Sequence, residues 1–454
     1  MTDRKKITPP PHIVKKYGKD FPIWSYSRLS TFHNCLWEYY LGKIKGLDDE
    51  DNIYSLCGTC SHDILEKFYN DEIKYEDMVG EFENNFLDIE VSDYKFSSDE
   101  DKNNKMTKNY KDSMIHFFKN HIPVKHKILT EREVWIEVGN NVFIGYIDAI
   151  HKENDTYIIT DYKTSSISEF KGEKLKEKQK QLLLYAEGLH QLGISLEKIK
   201  IRWNFLKYTN INIKHMVNIT YKENGKLKTS CVKRNEWVSK IKTQLKKDIK
   251  EYNPEISNKE LKNIIDLCVN SNNINNIPDN INNRENIING YVLSDVIKTG
   301  TRYNWVNTPT LITQLRKDLK EVIDEDNLAE IEIILIDAIK ENSLKPLSKY
   351  LDINNYVLED AYVYGEVNQE NVDNLISEMC DDINKINRKG MEVEEWSIDG
   401  IDKNKEYYCN VLCGYKKHCD YYTEYLKELK EYTAEGCLEK QSDNDILKEL
   451  EGLL

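Results

Sequence analysis

Two aspartates and a lysine stand where two runs of β-branched and aromatic residues come together: Asp148 within Gly145–Ile150, and Asp161 and Lys163 at the end of Thr156–Lys163. The polar link His151–Asp155 between the runs marks a β-hairpin. Side chains alternate faces along a strand, so Asp161 and Lys163 project together, and strand twist lets Asp148 reach the same point. A hard cation such as Mg²⁺ takes one or two carboxylates and completes its shell with water and phosphate oxygens. An ammonium beside it orients an attacking water or offsets charge developing on phosphorus. Taken alone, Asp-x-Lys reads more readily as a solvated strand end carrying an ion pair, since charged pairs at strand ends are common.

The neighbouring stretches must hold this trio. Glu133–Val138 reads as a strand entering the hairpin, and Lys198–Lys207 alternates as a further strand. Between them Gln179–Leu189 is a strong helix whose leucines bury one side, while Gln181 and Tyr185 share a face at i and i+4. Upstream, Ser25–Leu41 opens with serines and continues at helical spacing, with Ser27 as N-cap and Cys35 in mid-helix. A second helix starting near Gly58 sets His62 and Glu66 on one face, with His62 a metal ligand or phosphate contact, or an ordinary surface histidine. Residues 72–125 read as charged helices, and Pro9-Pro10-Pro11 marks residues 1–22 as an extended, poorly ordered arm. Hairpin, helix and strand in this order describe an α/β unit with a mixed central sheet flanked by helices.

With 454 residues, 39% apolar and 31% charged, the chain is globular and holds one large domain or two to three ordinary ones. No apolar run is long enough to span a membrane, and residues 1–20 lack the apolar segment of a secretory signal. A net charge of -14 argues against coating nucleic acid by bulk electrostatics, although Lys171–Lys180, five lysines against two glutamates, can make a cleft locally basic. Ten cysteines without an export signal point to a reducing, cytoplasmic compartment, where clustered thiols are more often metal ligands than disulfides. No Gly-x4-Gly-Lys-Ser/Thr loop occurs, so any ATPase would come from a partner.

In chain order, Ser25-x-Ser27-x-Leu29-x2-Phe32-x2-Cys35, Gly58-x3-His62, Gly145-x2-Asp148, Asp161-x-Lys163 and Gln181-x3-Tyr185 resemble the PD-(D/E)XK nuclease superfamily in its RecB-like branch. Cys409, Cys413 and Cys419 resemble the tail of its iron-sulfur members, the AddB nuclease subunits and CRISPR adaptation exonucleases among them. The resemblance covers residues 25 to about 210 and about 396 to 425, and implies a restriction-endonuclease-like core. It implies that Asp148, Asp161 and His62 hold Mg²⁺ or Mn²⁺ and that Lys163 assists the attacking water, with Glu66 or Glu133 behind them. Gln181 and Tyr185 would contact DNA backbone or hold Lys163 in place. Cys35, Cys409, Cys413 and Cys419 would ligate a [4Fe-4S] cluster, which clasps the first helix to the segment after Trp396; four thiolates also suit structural Zn²⁺. Cys409 fits the family spacing least, with three intervening residues where two are usual, and Cys57, Cys60 and His418 stand as substitutes.

The expected layout is a nuclease core over 23–252, a mainly helical insertion over 253–395, a cysteine segment over 396–430 and a tail over 431–454. Within the insertion, Asn270–Asn289 reads as a loop, Leu311–Ile323 as an amphipathic helix and Ile331–Ile339 as a more fully buried one. The insertion, or the acidic amphipathic end Asp445–Leu454, could bind a protein partner. The expected activity is a metal-dependent deoxyribonuclease, an exonuclease acting on DNA ends or single strands in recombination, repair or phage DNA processing. The alternatives are a catalytically inactive, DNA-binding or scaffolding subunit with the nuclease fold, or the nuclease arm of a helicase machine.

Overall fold

The protein is described by a computed structural model covering residues 7–213, 216–223, 226–270, 273–290, 292–294, 297–302, 309–323, 327–341, 343–401 and 403–429. The chain divides into two compact units. One is made of residues up to Lys108, Pro123–Phe205 and those from Tyr362 onward, the other of Asn109–Ile122 and Leu206–Ala361.

The first unit is built on a mixed sheet. Strands β2 (Ile128–Val138) and β3 (Asn141–Glu153) form a long antiparallel ladder closed by the two-residue turn Gly139-Asn140. On the other edge of β3, the two-residue β1 (Ile23–Trp24) pairs in parallel at Val142 and Phe143, and β4 (Thr156–Lys163) pairs antiparallel from Ala149 to Glu153. Next to β4 lies β5 (Ile199–Ile213), parallel to it from Tyr157↔Ile199 to Lys163↔Phe205, and then β10 (Tyr356–Tyr364). The expected mixed sheet with flanking helices is therefore present.

A parallel neighbour requires a crossover, supplied by α7 (Gly172–Lys178) and α8 (Lys180–Gln191). Leu182, Leu183, Leu184, Ala186 and Leu189 of α8 are buried, each leucine contributing about 2 kcal/mol. Gly188 lets α8 approach the sheet closely, since a β-carbon there would fall 2.6 Å from Val134 Cγ2 and 2.7 Å from Ile136 Cγ1.

Several boundaries differ from the sequence reading. The region taken as an extended arm contains α1 (Pro11–Tyr17), with Ile13 buried and Tyr17 Oη donating to Glu137 at 2.7 Å. A proline in a first helical turn forfeits no hydrogen bond, so the three prolines start a helix instead of excluding one. Ser25 rather than Ser27 caps α2 (Tyr26–Asn34), accepting from Arg28 N at 3.2 Å. Cys35 is not mid-helix: at φ -160° and ψ 120° it ends α2 and caps α3 (Leu36–Tyr39). Helix α4 (Ile53–Tyr69) starts five residues before Gly58, at the capping box of Asn52 and Ser55. Helices α5 (Met78–Glu90) and α6 (Glu100–Asn120) fill the charged stretch as expected.

The second unit starts well before residue 253 and is not purely helical. It takes in the later half of β5, which pairs with β9 (Ile297–Arg302), and a small sheet of β6 (Met216–Glu223), β7 (Lys226–Lys233) and β8 (Val292–Ser294). Helices α9 (Arg234–Tyr252), α10 (Asn258–Asn270) and α11 (Arg284–Asn289) enclose one apolar core. The Asn-rich stretch is part of it, burying Ile274, Ile277, Ile281 and Ile287. A second core joins α12 (Pro309–Lys320) to α13 (Leu328–Lys340), and here Ile333 and Ile336 are exposed, so α13 is amphipathic rather than buried all round. Helix α14 (Gln369–Arg388) belongs to the first unit, as does a further helix over 420–429. The tail over 431–454, with Asp445–Leu454, lies outside the described residues.

Candidate active site

The ladder between β3 and β4 stops at Ala149↔Thr160, one step before Asp148 would face Asp161. The strands part there, and the Asp148 carboxylate takes the place of the next backbone acceptor, with Oδ2 receiving the Tyr162 amide at 2.9 Å. On the other edge of β3, pairing lapses at the same level: Thr130↔Ala149 and Arg132↔Ile147 are paired, and Glu131 between them has φ 44°. The wedge that holds the site is thus opened by two local failures of sheet pairing around one aspartate.

Into this wedge point the residues singled out from sequence. Lys163 Nζ lies 2.5 Å from Asp161 Oδ2. The Asp161 carboxylate, 5% exposed, has this ammonium as the partner of its Oδ2. Burial is the largest influence on Asp161 and pushes its carboxyl up against the opposing pull of Lys163. Burial pulls Lys163 down, but the charges of Asp161 and Asp148 outweigh it and hold the ammonium above its ordinary value. His62, on α4, donates from Nε2 to the Tyr162 carbonyl at 2.9 Å, and its Nδ1 sits 3.6 Å from Asp148 Oδ2. In the neutral imidazole that arrangement turns the Nδ1 lone pair toward a carboxylate oxygen, a repulsive pair that a cation between them would relieve.

The donor types fit a divalent cation: a buried carboxylate paired with the Lys163 ammonium, a second carboxylate held by a backbone amide, and an imidazole whose Nδ1 turns toward that second carboxylate. Sequence reasoning missed Glu131. Desolvation first, then the charges of Asp148 and Glu66, raise its carboxyl to about 7, although the side chain as a whole is exposed and water tempers the effect. The charges of Asp148 and Glu66 thus add to a shift that burial begins. The charge of Glu66 is felt at Glu131, and Glu133 Oε1 accepts from Trp135 Nε1 at 2.7 Å.

Gln181 and Tyr185 support the wedge. Gln181 Nε2 donates to Tyr185 Oη at 2.9 Å, and burial lifts the Tyr185 hydroxyl to about 12, with Asp161 and Asp148 adding to the shift. The Tyr185 ring lies on Gly145, where a β-carbon would overlap Cε1 and come within 3.1 Å of Cδ1 and Cζ. That explains Gly145 physically. Gly58 is not so constrained, a β-carbon there meeting Thr164 Oγ1 at an ordinary 3.8 Å.

The thiols of Cys35, Cys409, Cys413 and Cys419 line one cavity of about 230 Å³, which none of the wedge residues lines. Burial raises all four, Cys409 to about 11 and Cys413 to about 12, and Cys409, Cys413 and Cys419 each feel the charge of Cys35. Cys57 and Cys60 are buried on α4, and neither they nor His418 line this cavity. The segments carrying the thiols are also tied by side chains: Trp396 stacks on Tyr39 at 5.1 Å, Tyr421 meets Trp37 at 5.3 Å, and Tyr408 Oη donates to Glu38 at 2.9 Å.

Among the described residues the one group of three that brings its ligand atoms within 4.8 Å of one another is His33, Glu378 and Asp382; Asp148, Asp161 and His62 stand wider than that. Those carboxylates already have partners: His33 and Lys385 on Asp382, Lys180 on Glu378.

Residues 23–269, just over half of the chain, match the family model described as the PD-(D/E)XK nuclease superfamily. No curated protein matches the chain.

Proposed function

Because the chain belongs to the PD-(D/E)XK nuclease superfamily, we propose that it is a metal-dependent deoxyribonuclease of the RecB-like type that removes nucleotides from DNA ends in recombination, repair or phage DNA processing. The observation that carries the reading is the buried Asp161 carboxylate paired with the Lys163 ammonium, in a wedge that also holds Asp148 and His62. Asp148, Asp161 and His62 would hold Mg²⁺ or Mn²⁺, which when bound supplies positive charge to a phosphodiester and lowers the pKa of water. Lys163 stays protonated beside Asp161 and orients the water for in-line attack. The Tyr162 amide fixes the Asp148 carboxylate, and the Tyr162 carbonyl fixes the imidazole so that Nδ1 faces the site.

A [4Fe-4S] cluster held by Cys35, Cys409, Cys413 and Cys419 is the second part of the proposal. No three of these thiols approach within 4.8 Å of one another, wider than the contact of ligands sharing one zinc at about 2.3 Å from each sulfur. Its role is to clasp α2 and α3 to the segment after Trp396. Incubating the protein with end-labelled linear DNA in Mg²⁺, Mn²⁺ or EDTA tests the nuclease reading. Degradation that needs the metal supports it; DNA binding without cleavage under all three conditions supports the inactive scaffold instead.

A further inference from the structure

Beside the wedge lies a cavity of about 690 Å³, within the range of small-ligand sites, and Lys163 is on its wall. It is bounded by α2, the segment after β4, the start of α8, and α14, which lies beyond the residues matched by the family model. Its lining falls into two kinds. Leu29, Phe170, Trp203, Leu375 and Met379 are apolar and buried. The remaining residues are polar, with three lysines against four carboxylates. Lys163 is paired with Asp161, and Lys180 is held between Glu177 and Glu378 at 2.7 Å from each.

A channel through which a strand runs on needs an excess of cations along its backbone. Of the three lysines only Lys178 stands outside an ion pair among the described residues, too few for such a row, and continuing phosphates would lie against Glu378 and the buried Asp382. An apolar patch of five side chains in an otherwise polar lining suits one nucleoside, its base against the buried side chains and a single phosphate toward Lys163 and Lys178.

We propose that this cavity is the seat of the terminal nucleotide of a DNA strand, so that cleavage proceeds from an end and a deoxynucleoside monophosphate is its ligand. The proposal rests on the nuclease reading for the chemistry, but the cavity's ligand can be tested without it. Thymidine 5′-monophosphate and thymidine 3′-monophosphate are titrated separately into the full chain in the presence of Ca²⁺, with calorimetric readout. One of the two should bind at least tenfold more tightly, its phosphate position giving the polarity of the end, and Ser30→Trp, which fills the cavity from α2, should weaken it at least tenfold. Ser165→Trp, entering from an exposed position, serves if Ser30→Trp lowers the melting temperature. Failure of both nucleotides to bind, or equal binding by a folded filled variant, overturns the proposal even if the protein degrades DNA. Binding that Ser30→Trp abolishes, in a protein that cleaves no DNA, upholds the cavity's ligand and defeats the nuclease reading.

Discussion

Replacing Gly145 by alanine puts one methyl group where the Tyr185 ring now lies, overlapping Cε1 and within 3.1 Å of Cδ1 and Cζ. The ring is buried, 6% exposed, and tied through Oη to Gln181, so it cannot simply swing outward. Overpacking of this kind costs about 1–3 kcal/mol. Because the same hydroxyl feels Asp161 and Asp148, the displacement reaches the catalytic wedge, and we expect a loss of cleavage rate of about tenfold, equivalent to ~1.4 kcal/mol. Truncating the partner separates steric from other causes. Tyr185→Ala alone should cost about 3 kcal/mol, but in its background Gly145→Ala should be nearly neutral, a coupling of about 1–2 kcal/mol in a double-mutant cycle. Chemical denaturation of the four proteins, following the transition of the first unit, supplies the cycle. Strictly additive effects, or a Gly145→Ala protein as stable as its parent, would refute the steric account.

Other outcomes are equally specific. The raised carboxyl of Glu131, about 7 against an ordinary 4.5, means that its charge burdens the folded state, so stability falls as pH rises through that interval. The whole shift would be worth ~3 kcal/mol, and exposure reduces it to about 1 kcal/mol. Metal-free Glu131→Gln should therefore be more stable than its parent at pH 8.5 and equal to it at pH 4, whereas a gap independent of pH counts against the assignment. His62→Ala should raise the Mg²⁺ concentration needed for half-maximal cleavage by about tenfold or more, with little change in melting temperature. Cys413→Ala, purified without oxygen, should lose visible absorption and iron and melt earlier, while Cys60→Ala keeps both; full stability in a metal-free Cys413→Ala protein would remove the clasp.

Much of the site was legible because strand alternation and helical periodicity are properties of short segments. Asp161 and Lys163 share a face by spacing alone, and Gln181 and Tyr185 do so by one helical turn. Glu131 was missed although the signal is present: counting back from the two-residue turn Gly139-Asn140 sets Glu131 opposite Asp148. What spacing does not convey is where a ladder fails, and the failure on both sides of Asp148 is what opens the wedge. The arm was misread because three prolines suggest an extended chain unless the helix-start preference for proline is weighed against it. The Asn-rich stretch was misread for a related reason, since isoleucines three or four apart among asparagines can be buried without a regular element to announce them.

The central claim is that Asp161 and Lys163 perform hydrolysis together. It is tested most directly by the cleavage rate of end-labelled linear DNA under saturating Mn²⁺ for the parent, Asp161→Asn and Lys163→Met, each shown to be folded by its melting curve. The account expects both variants to fall by about a thousandfold or more, a loss of ~4 kcal/mol in the barrier. Parental rates in either folded variant would contradict it.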